Sequence, residues 1–155
     1  MAWRLRNSEF QEKKGLRNKH GLRAIVEAGM PSGVLAYAGK TPVGWCAIAP
    51  RQDYVRLESS RVLSPVDERP VWSVSCFYVA RDRRRTGISV RLLESAVQYA
   101  CRRGAKIVEG YPLDIPKPQP DVFVWTGLAS AFRKAGFHEV ARRSPTRPIM
   151  RYEIV

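Results

Sequence analysis

Val71 to Ala105 reads VWSVSCFYVARDRRRTGISVRLLESAVQYACRRGA and combines two regular elements with a basic loop between them. Residues Val71 to Val79 are almost all apolar or small, which is typical of a strand buried on both faces. From Ile88 onward the apolar residues recur at the spacing of one helix face, at Ile88, Leu92, Leu93, Ala96, Val97 and Ala100. The stretch therefore predicts a buried strand, a loop and an amphipathic helix.

The loop has the composition of an anion-binding site. A loop that ends a strand and opens a helix presents unpaired N–H groups at the positive end of the helix dipole. Gly87 lets the backbone approach a ligand closely, and the arginines add formal charge. We therefore predict a phosphate-binding loop made by Arg84, Arg85, Thr86, Gly87, Ile88 and Ser89.

The pattern Arg84-x-x-Gly87-x-Ser89 resembles the acyl-CoA-binding motif of the GNAT superfamily of N-acetyltransferases, usually written Arg/Gln-x-x-Gly-x-Gly/Ala. Serine takes the third position and is still small. The context resembles the family as well, because a second strand is predicted after the helix and a later helix ends in Gly136-Phe137. The resemblance covers roughly Val34 to Val155.

This resemblance implies a donor, an acceptor and a set of contacts. The donor would be acetyl-CoA, with its pantetheine arm paired to the backbone of Phe77, Tyr78 and Val79 and its pyrophosphate held by Arg84 through Ser89. The acceptor would be a primary amine that attacks the thioester directly, on a small molecule or a peptide that the sequence does not identify. A homodimer is left open.

The rest of the chain predicts one α/β domain over residues 1–155. Two short helices precede Gly29, and Val34–Tyr37 and Val43–Ala49 read as a hairpin. The later elements, in order, are a short helix within Arg51–Ser59, the strand Lys106–Gly110, a proline-rich loop Tyr111–Asp121, a helix Gly127–Ala135, and two strands, His138–Arg142 and Ile149–Ile154. The sheet would be mixed and mostly antiparallel, with one parallel pair at its centre and helices flanking it.

Acetyl transfer needs a group that takes the proton of the amine. The strand Val71 to Val79 contains no Asp or Glu, so a base is not available there. Glu109 is the best candidate, because it is an acidic residue in an apolar strand and burial would make it a stronger proton acceptor. The alternative is a structural carboxylate paired with one of the many arginines.

Phe132 marks a departure from the family. Many relatives carry a tyrosine four residues before the helix-ending glycine, and it is thought to protonate the departing thiolate. If the helix aligns as the resemblance implies, the Phe132 ring lies beside the thioester sulfur and contacts the pantetheine arm. The proton would then come from Tyr78 or Tyr111, or the thiolate would leave unassisted, since a thiol has a pKa of about 8.5.

The charge of the chain leaves other functions open. There are 27 Lys and Arg residues against 14 Asp and Glu, a formal net charge of +13. Such a field attracts a polyanion, either CoA or nucleic acid, or keeps the surface solvated. We set three alternatives beside the acetyltransferase: a basic nucleic-acid-binding protein, a related enzyme acting on an RNA-borne amine such as aminoacyl-tRNA, and a CoA-binding module without catalysis. Nucleic acid is the less favoured partner.

Composition also bears on compartment and chemistry. No apolar run reaches the roughly 18 residues of a membrane span, and the N-terminus lacks the apolar region of a signal peptide. Cys46, Cys76 and Cys101 have no metal-ligand spacing, so we expect reduced thiols in a cytoplasmic protein and no metal site. Cys76 as an acyl-accepting nucleophile has no visible activating partner, and packing in the strand is the favoured interpretation.

Overall fold

The computed structural model describes residues 1–117, 119–120 and 123–155. Its centre is a six-stranded sheet in the order β1-β2-β3-β4-β6-β5. The strands are β1 (Val34–Ala38), β2 (Thr41–Pro50), β3 (Trp72–Val79), β4 (Ile107–Gly110), β5 (His138–Arg142) and β6 (Pro148–Glu153). The β3–β4 pair is parallel and the other neighbours are antiparallel. The predicted fold class is confirmed.

Five helices accompany the sheet in the described residues: α1 (Asn7–Glu12), α2 (Leu16–Glu27), α3 (Val55–Glu58), α4 (Ile88–Cys101) and α5 (Ala129–Lys134). The short helix predicted within Arg51–Ser59 is split, because Arg51–Asp53 forms a 3-10 turn before α3. The last helix starts later than predicted, since Gly127 has φ +85° and cannot be helical. Within the described residues, no helix has the length and apolar character needed to cross a membrane.

The two faces of the sheet carry separate apolar clusters. Side chains alternate between faces along a strand, so Ile48 enters the larger cluster under α4 and α5 while Ala49 enters a smaller one with Tyr54 and Leu57. The helix α4 buries its predicted apolar stripe against the larger cluster, through Leu92, Leu93, Ala96, Val97 and Ala100. Full burial of each large apolar side chain contributes about 1.5–3 kcal/mol.

The feature that positions the site is the separation of β3 from β4. The two strands pair only from Trp72 to Val74, because β4 ends at Gly110, opposite Val74. On the other side, the register with β2 shifts between Ala47 and Ile48 and leaves Ser75 as an extra residue, which is a β-bulge. The second half of β3 therefore offers a backbone edge with no paired strand among the described residues.

Candidate active site

A cleft of about 900 Å³ opens where β3 separates from β4. Its walls are the end of β3, the loop into α4, parts of the proline-rich loop and the start of α5. Most of the residues predicted to bind the donor line it, namely Phe77, Tyr78, Val79, Arg84, Arg85, Gly87, Ile88 and Ser89. Thr86 and Phe132 do not line the cleft. The predicted proline-rich loop lies partly outside the described residues, because Pro118 and Asp121 are not among them.

The open edge of β3 is occupied in part by its own chain. The Phe77 N–H donates a hydrogen bond of 2.7 Å to the Trp125 carbonyl. Backbone groups alternate sides along an antiparallel strand, so those of Val79 face the same way, and the Val79 carbonyl accepts from the Arg84 side chain at 3.2 Å. A ligand can pair with the Phe77 N–H only by replacing the Trp125 carbonyl. The Tyr78 side chain is 58% exposed on the cleft wall.

The loop before α4 has the geometry of an anion-binding turn. Gly87 has φ +82° and caps the N-terminus of α4, and a Cβ built there would meet nothing within 4 Å. Space for a ligand therefore lies directly in front of its backbone. Arg85 has φ +60°, the sole positive φ of a non-glycine residue in the described chain. The Thr86 hydroxyl donates to the Arg83 carbonyl at 2.6 Å, so it stabilises the turn internally.

The cleft is strongly basic at this end. Its described lining carries Arg83, Arg84, Arg85 and Lys117 and no Asp or Glu. The Gly87 carbonyl accepts from Val90 and Arg91 at 3.1 and 3.2 Å, which begins the hydrogen-bond ladder of α4. The preceding N–H groups of a first helical turn have no intrahelical acceptor. Formal and partial positive charge thus converge where a pyrophosphate would lie.

Glu109 lies away from the cleft, in a buried ion-pair network. Its side chain is 1% exposed, and its two oxygens accept from Arg151 Nε at 2.7 Å and from an Arg51 N–H at 3.4 Å. The Tyr111 hydroxyl donates to Glu109 at 2.8 Å and lies 2.8 Å from the Ser73 hydroxyl. Such surroundings are typical of a structural carboxylate paired with arginines, which is the alternative interpretation of Glu109 to that of a general base.

The arginines of this network have further acidic partners. Arg151 contacts both oxygens of Asp67 at 2.6 and 3.1 Å, and these hydrogen bonds hold the pKa of Asp67 well below its usual range. Arg51 pairs with Glu58 at 2.9 Å. Burial raises the pKa of Tyr111, and the Glu109 charge raises that pKa further. Tyr111 is 1% exposed and does not line the cleft, so its hydroxyl is poorly placed to protonate a leaving thiolate there.

The Phe132 ring is in the core behind the cleft wall, which corrects the expectation that it faces the cleft. It is fully buried and makes edge contacts with Phe77 and Phe137, with ring centroids 6.0 and 5.1 Å apart. A Cβ at Gly110 would collide with it, so this glycine makes room for the ring. Leu128 and Ala131, at the N-terminal end of α5, line the cleft in its place.

The cysteines show no sign of covalent or metal chemistry. All three are free thiols, and burial raises the pKa of Cys76, which disfavours its thiolate. No group of three or more His, Cys, Asp and Glu residues able to hold a metal occurs in the part of the chain that is described.

No role near the site was predicted for Trp125 or for the residues that precede α1. A second pocket of about 150 Å³ is lined by Met1 to Arg4, Trp45, Tyr54, Ser75, Cys76 and Trp125, among others. Trp125 also lines the large cleft, so this residue borders both spaces. No local pattern could have indicated this, because the aromatic residues come from four separate segments that only the fold brings together.

Comparison with known proteins agrees with this geometry. The model of the acetyltransferase (GNAT) family matches residues 2–110. A comparison with curated proteins finds no match. Among solved structures, the ribosomal-protein-alanine N-acetyltransferase of Brucella melitensis is 18% identical with a TM-score of 0.56, over 90% of this chain and 79% of that one. The PaiA N-acetyltransferase of Thermoplasma acidophilum, in complex with coenzyme A, is 13% identical with a TM-score of 0.59, over 95% of this chain and 77% of that one.

The chain belongs to the acetyltransferase (GNAT) family, because the family model covers more than half of it. The structural neighbours share the fold with it at low sequence identity.

Proposed function

We propose that this protein is an acetyl-CoA-dependent N-acetyltransferase that acts on a primary amine of a small molecule or peptide. The observation that carries the proposal is the basic cleft in which the open edge of β3 meets the Gly87 turn. The edge offers backbone groups to an extended amide-containing arm, and the turn offers N–H groups and arginines to a pyrophosphate. Membership in the family and a neighbour solved with coenzyme A support the same donor.

The residues of the chain would act mainly by binding and orientation. The bound donor supplies an activated thioester. The backbone N–H and C=O groups of Phe77 and Val79 would align the pantetheine arm along β3. Leu128 and Ala131 would exclude water from the apolar part of that arm. The described cleft lining has no Asp, Glu or His, so we infer that water takes the proton of the attacking amine. Tyr78 lies on the open edge of β3, and its hydroxyl is the candidate to protonate the leaving thiolate.

Titration of the purified protein with acetyl-CoA, followed by an amine panel scored by release of free CoA, tests the proposal. We expect saturable donor binding and amine-dependent thiol release. A protein that binds acetyl-CoA but releases no CoA with any amine would be a binding module without catalysis. Absence of donor binding at millimolar concentration would contradict the proposal.

A further inference from the structure

The second pocket lies on the face of the sheet opposite α4. Trp45 and Ala47 line it, and they alternate along β2 with Cys46 and Ile48 of the larger cluster under α4. Ser75 and Cys76 line it too, directly before Phe77 of the large cleft. The two spaces therefore meet at the open edge of β3.

The walls of this pocket are held by specific contacts. The helix α3 fixes the N-terminal segment, because the Arg56 guanidinium donates to the Ala2 carbonyl at 3.2 Å and lies over the Trp3 ring at 5.7 Å from its centroid. Arg4 pairs with Asp53 at 3.2 Å and lies over the Tyr54 ring. The Trp3 and Trp125 rings are 5.7 Å apart. The pocket is thus a built feature of the fold.

Two buried polar atoms in the pocket lack partners. Within the described residues, three buried side-chain polar atoms make no hydrogen bond, and two of them, Trp3 Nε1 and the Tyr54 hydroxyl, line this one pocket. Tyr54 is 2% exposed, and burial raises its pKa to about 12. The neighbouring Ser75 hydroxyl lowers this pKa, but it does not make a hydrogen bond of good geometry with the Tyr54 hydroxyl. Native proteins rarely leave such groups unsatisfied, so the pair favours a hydrogen-bonding atom of a ligand or a water at this point of the pocket.

The size and polarity of the pocket restrict that ligand. An apolar cavity of about 150 Å³ holds a molecule the size of benzene, and the pocket has that volume with three tryptophan walls. The Trp3 N–H only donates and the Tyr54 hydroxyl can donate, so the ligand should present an oxygen acceptor. The described lining contains Arg4 and no Asp or Glu, which disfavours ligands with additional positive charge.

We propose that this pocket binds the acceptor, and that the acceptor is a compact, largely apolar primary amine that carries an uncharged oxygen acceptor. The inference rests on the proposed function. The amine nitrogen would attack the thioester carbonyl across the Ser75–Phe77 edge; the C–N bond forms, the C–S bond breaks with its electron pair on sulfur, and the amine proton passes to water.

The test compares tyramine with 2-phenylethylamine, which lacks its oxygen, and with spermidine, which carries extra charge. Binding is measured by calorimetry at pH 9 without acetyl-CoA, and acceptor KM is measured with it. We expect tyramine to bind about two- to tenfold more tightly than 2-phenylethylamine, since a hydrogen bond contributes about 0.5–1.5 kcal/mol. Spermidine should not bind measurably.

Tyr54→Phe and Trp3→Phe should each reduce the preference for tyramine, with acetyl-CoA affinity unchanged. Tyr37→Phe is the matched control, because Tyr37 is 58% exposed on β1 and lines neither space. Equal binding of the three amines, or an unchanged preference in both pocket variants, would overturn the inference. Absence of acetyl-CoA binding would instead contradict the proposed function, and the binding arm without acetyl-CoA distinguishes the two failures.

Discussion

Glu109 has the position of a structural residue at the centre of the sheet. It connects Arg51 and Arg151, which lie 58 and 42 residues away along the chain, and both arginines are at most 9% exposed at the side chain. Removal of one partner from a buried ion pair leaves charge without compensation, which costs more than the loss of an exposed pair. The arrangement predicts an effect on folding in the first place.

Glu109→Gln should therefore lower the free energy of unfolding by on the order of 3 kcal/mol. Glu153→Gln is the matched control, because Glu153 pairs with Arg69 at the surface and should cost less than about 1 kcal/mol. Urea unfolding of both variants makes the comparison. If Glu109→Gln is as stable as the wild type but its turnover falls by about 10²–10⁴, the residue is the general base after all.

Substitutions at Phe132 and Leu128, which are close together in the chain, should distinguish an effect on core packing from an effect on donor binding. Phe132→Ala should lower the free energy of unfolding by about 3–5 kcal/mol, because it empties a fully buried site beside Phe77 and Gly110. Leu128→Ala removes a 40% exposed side chain from the cleft wall and should weaken acetyl-CoA binding with little effect on stability. Unfolding curves and donor titrations measure both. A stable Phe132→Ala protein with lost donor binding would place the ring back at the donor.

At the level of elements, the sequence pattern predicted those features of the helices that depend on neighbouring residues in the chain. The apolar spacing in α4 identified its buried residues, and Gly29, with φ +68°, follows the end of α2 as expected. Gly21, by contrast, is a residue type that disfavours helix interiors, and yet it lies inside α2. Glycine costs a helix interior only about 1 kcal/mol, and Met1 packs 3.4 Å from where its Cβ would be. The sequence cannot show that long-range contact.

In the candidate site, too, some residues could be predicted from local sequence and others depend on contacts between distant segments. The Gly87 turn and the β3 edge are contiguous in sequence, so their residues could be predicted to line one cleft. The separation of β3 from β4 depends on where β4 ends and on the path of the chain after Gly110, which no local pattern encodes. The same holds for the arginine partners of Glu109 and for Trp125, which reaches Phe77 across 48 positions by a backbone hydrogen bond.

The segment that carries Trp125 should respond to the donor. Trp125 is 36% exposed on the cleft wall and its carbonyl holds the Phe77 N–H, so a bound arm must displace this contact. We expect tryptophan fluorescence to change on addition of acetyl-CoA, and Trp125→Phe to abolish most of the change. Trp72→Phe is the control, since Trp72 packs against Tyr99 away from the cleft. Loss of the signal in Trp72→Phe alone would contradict this arrangement.

At the scale of the whole molecule, the net charge of +13 predicts attraction to any polyanion. If the charge serves the donor cleft and a solvated surface, RNA should bind weakly and without sequence preference. Its affinity should fall steeply with salt and vanish at about 0.15 M, because such binding depends on counterion release. Filter binding across a salt series measures this. Tight RNA binding at that salt, competed by tRNA, would favour the RNA-borne acceptor.

The central claim is that the Gly87 turn holds the donor, and two glycines at opposite ends of the α4 region allow a matched test. Gly87 and Gly104 have nearly the same φ, +82° and +83°, and a Cβ at either would meet nothing within 4 Å. Valine at either position should impose similar backbone strain, on the order of 1–2 kcal/mol. Only the side chain at position 87 would fill the space in front of the proposed pyrophosphate site.

The decisive measurement is the dissociation constant of acetyl-CoA for the wild type, Gly87→Val and Gly104→Val, with folding of each protein checked by thermal unfolding. We expect Gly104→Val to bind acetyl-CoA within about twofold of the wild type, because Gly104 does not line the cleft. A twofold change corresponds to less than about 0.5 kcal/mol. Gly87→Val should show no measurable binding while it remains folded. A folded Gly87→Val protein with the dissociation constant of the wild type would contradict the claim.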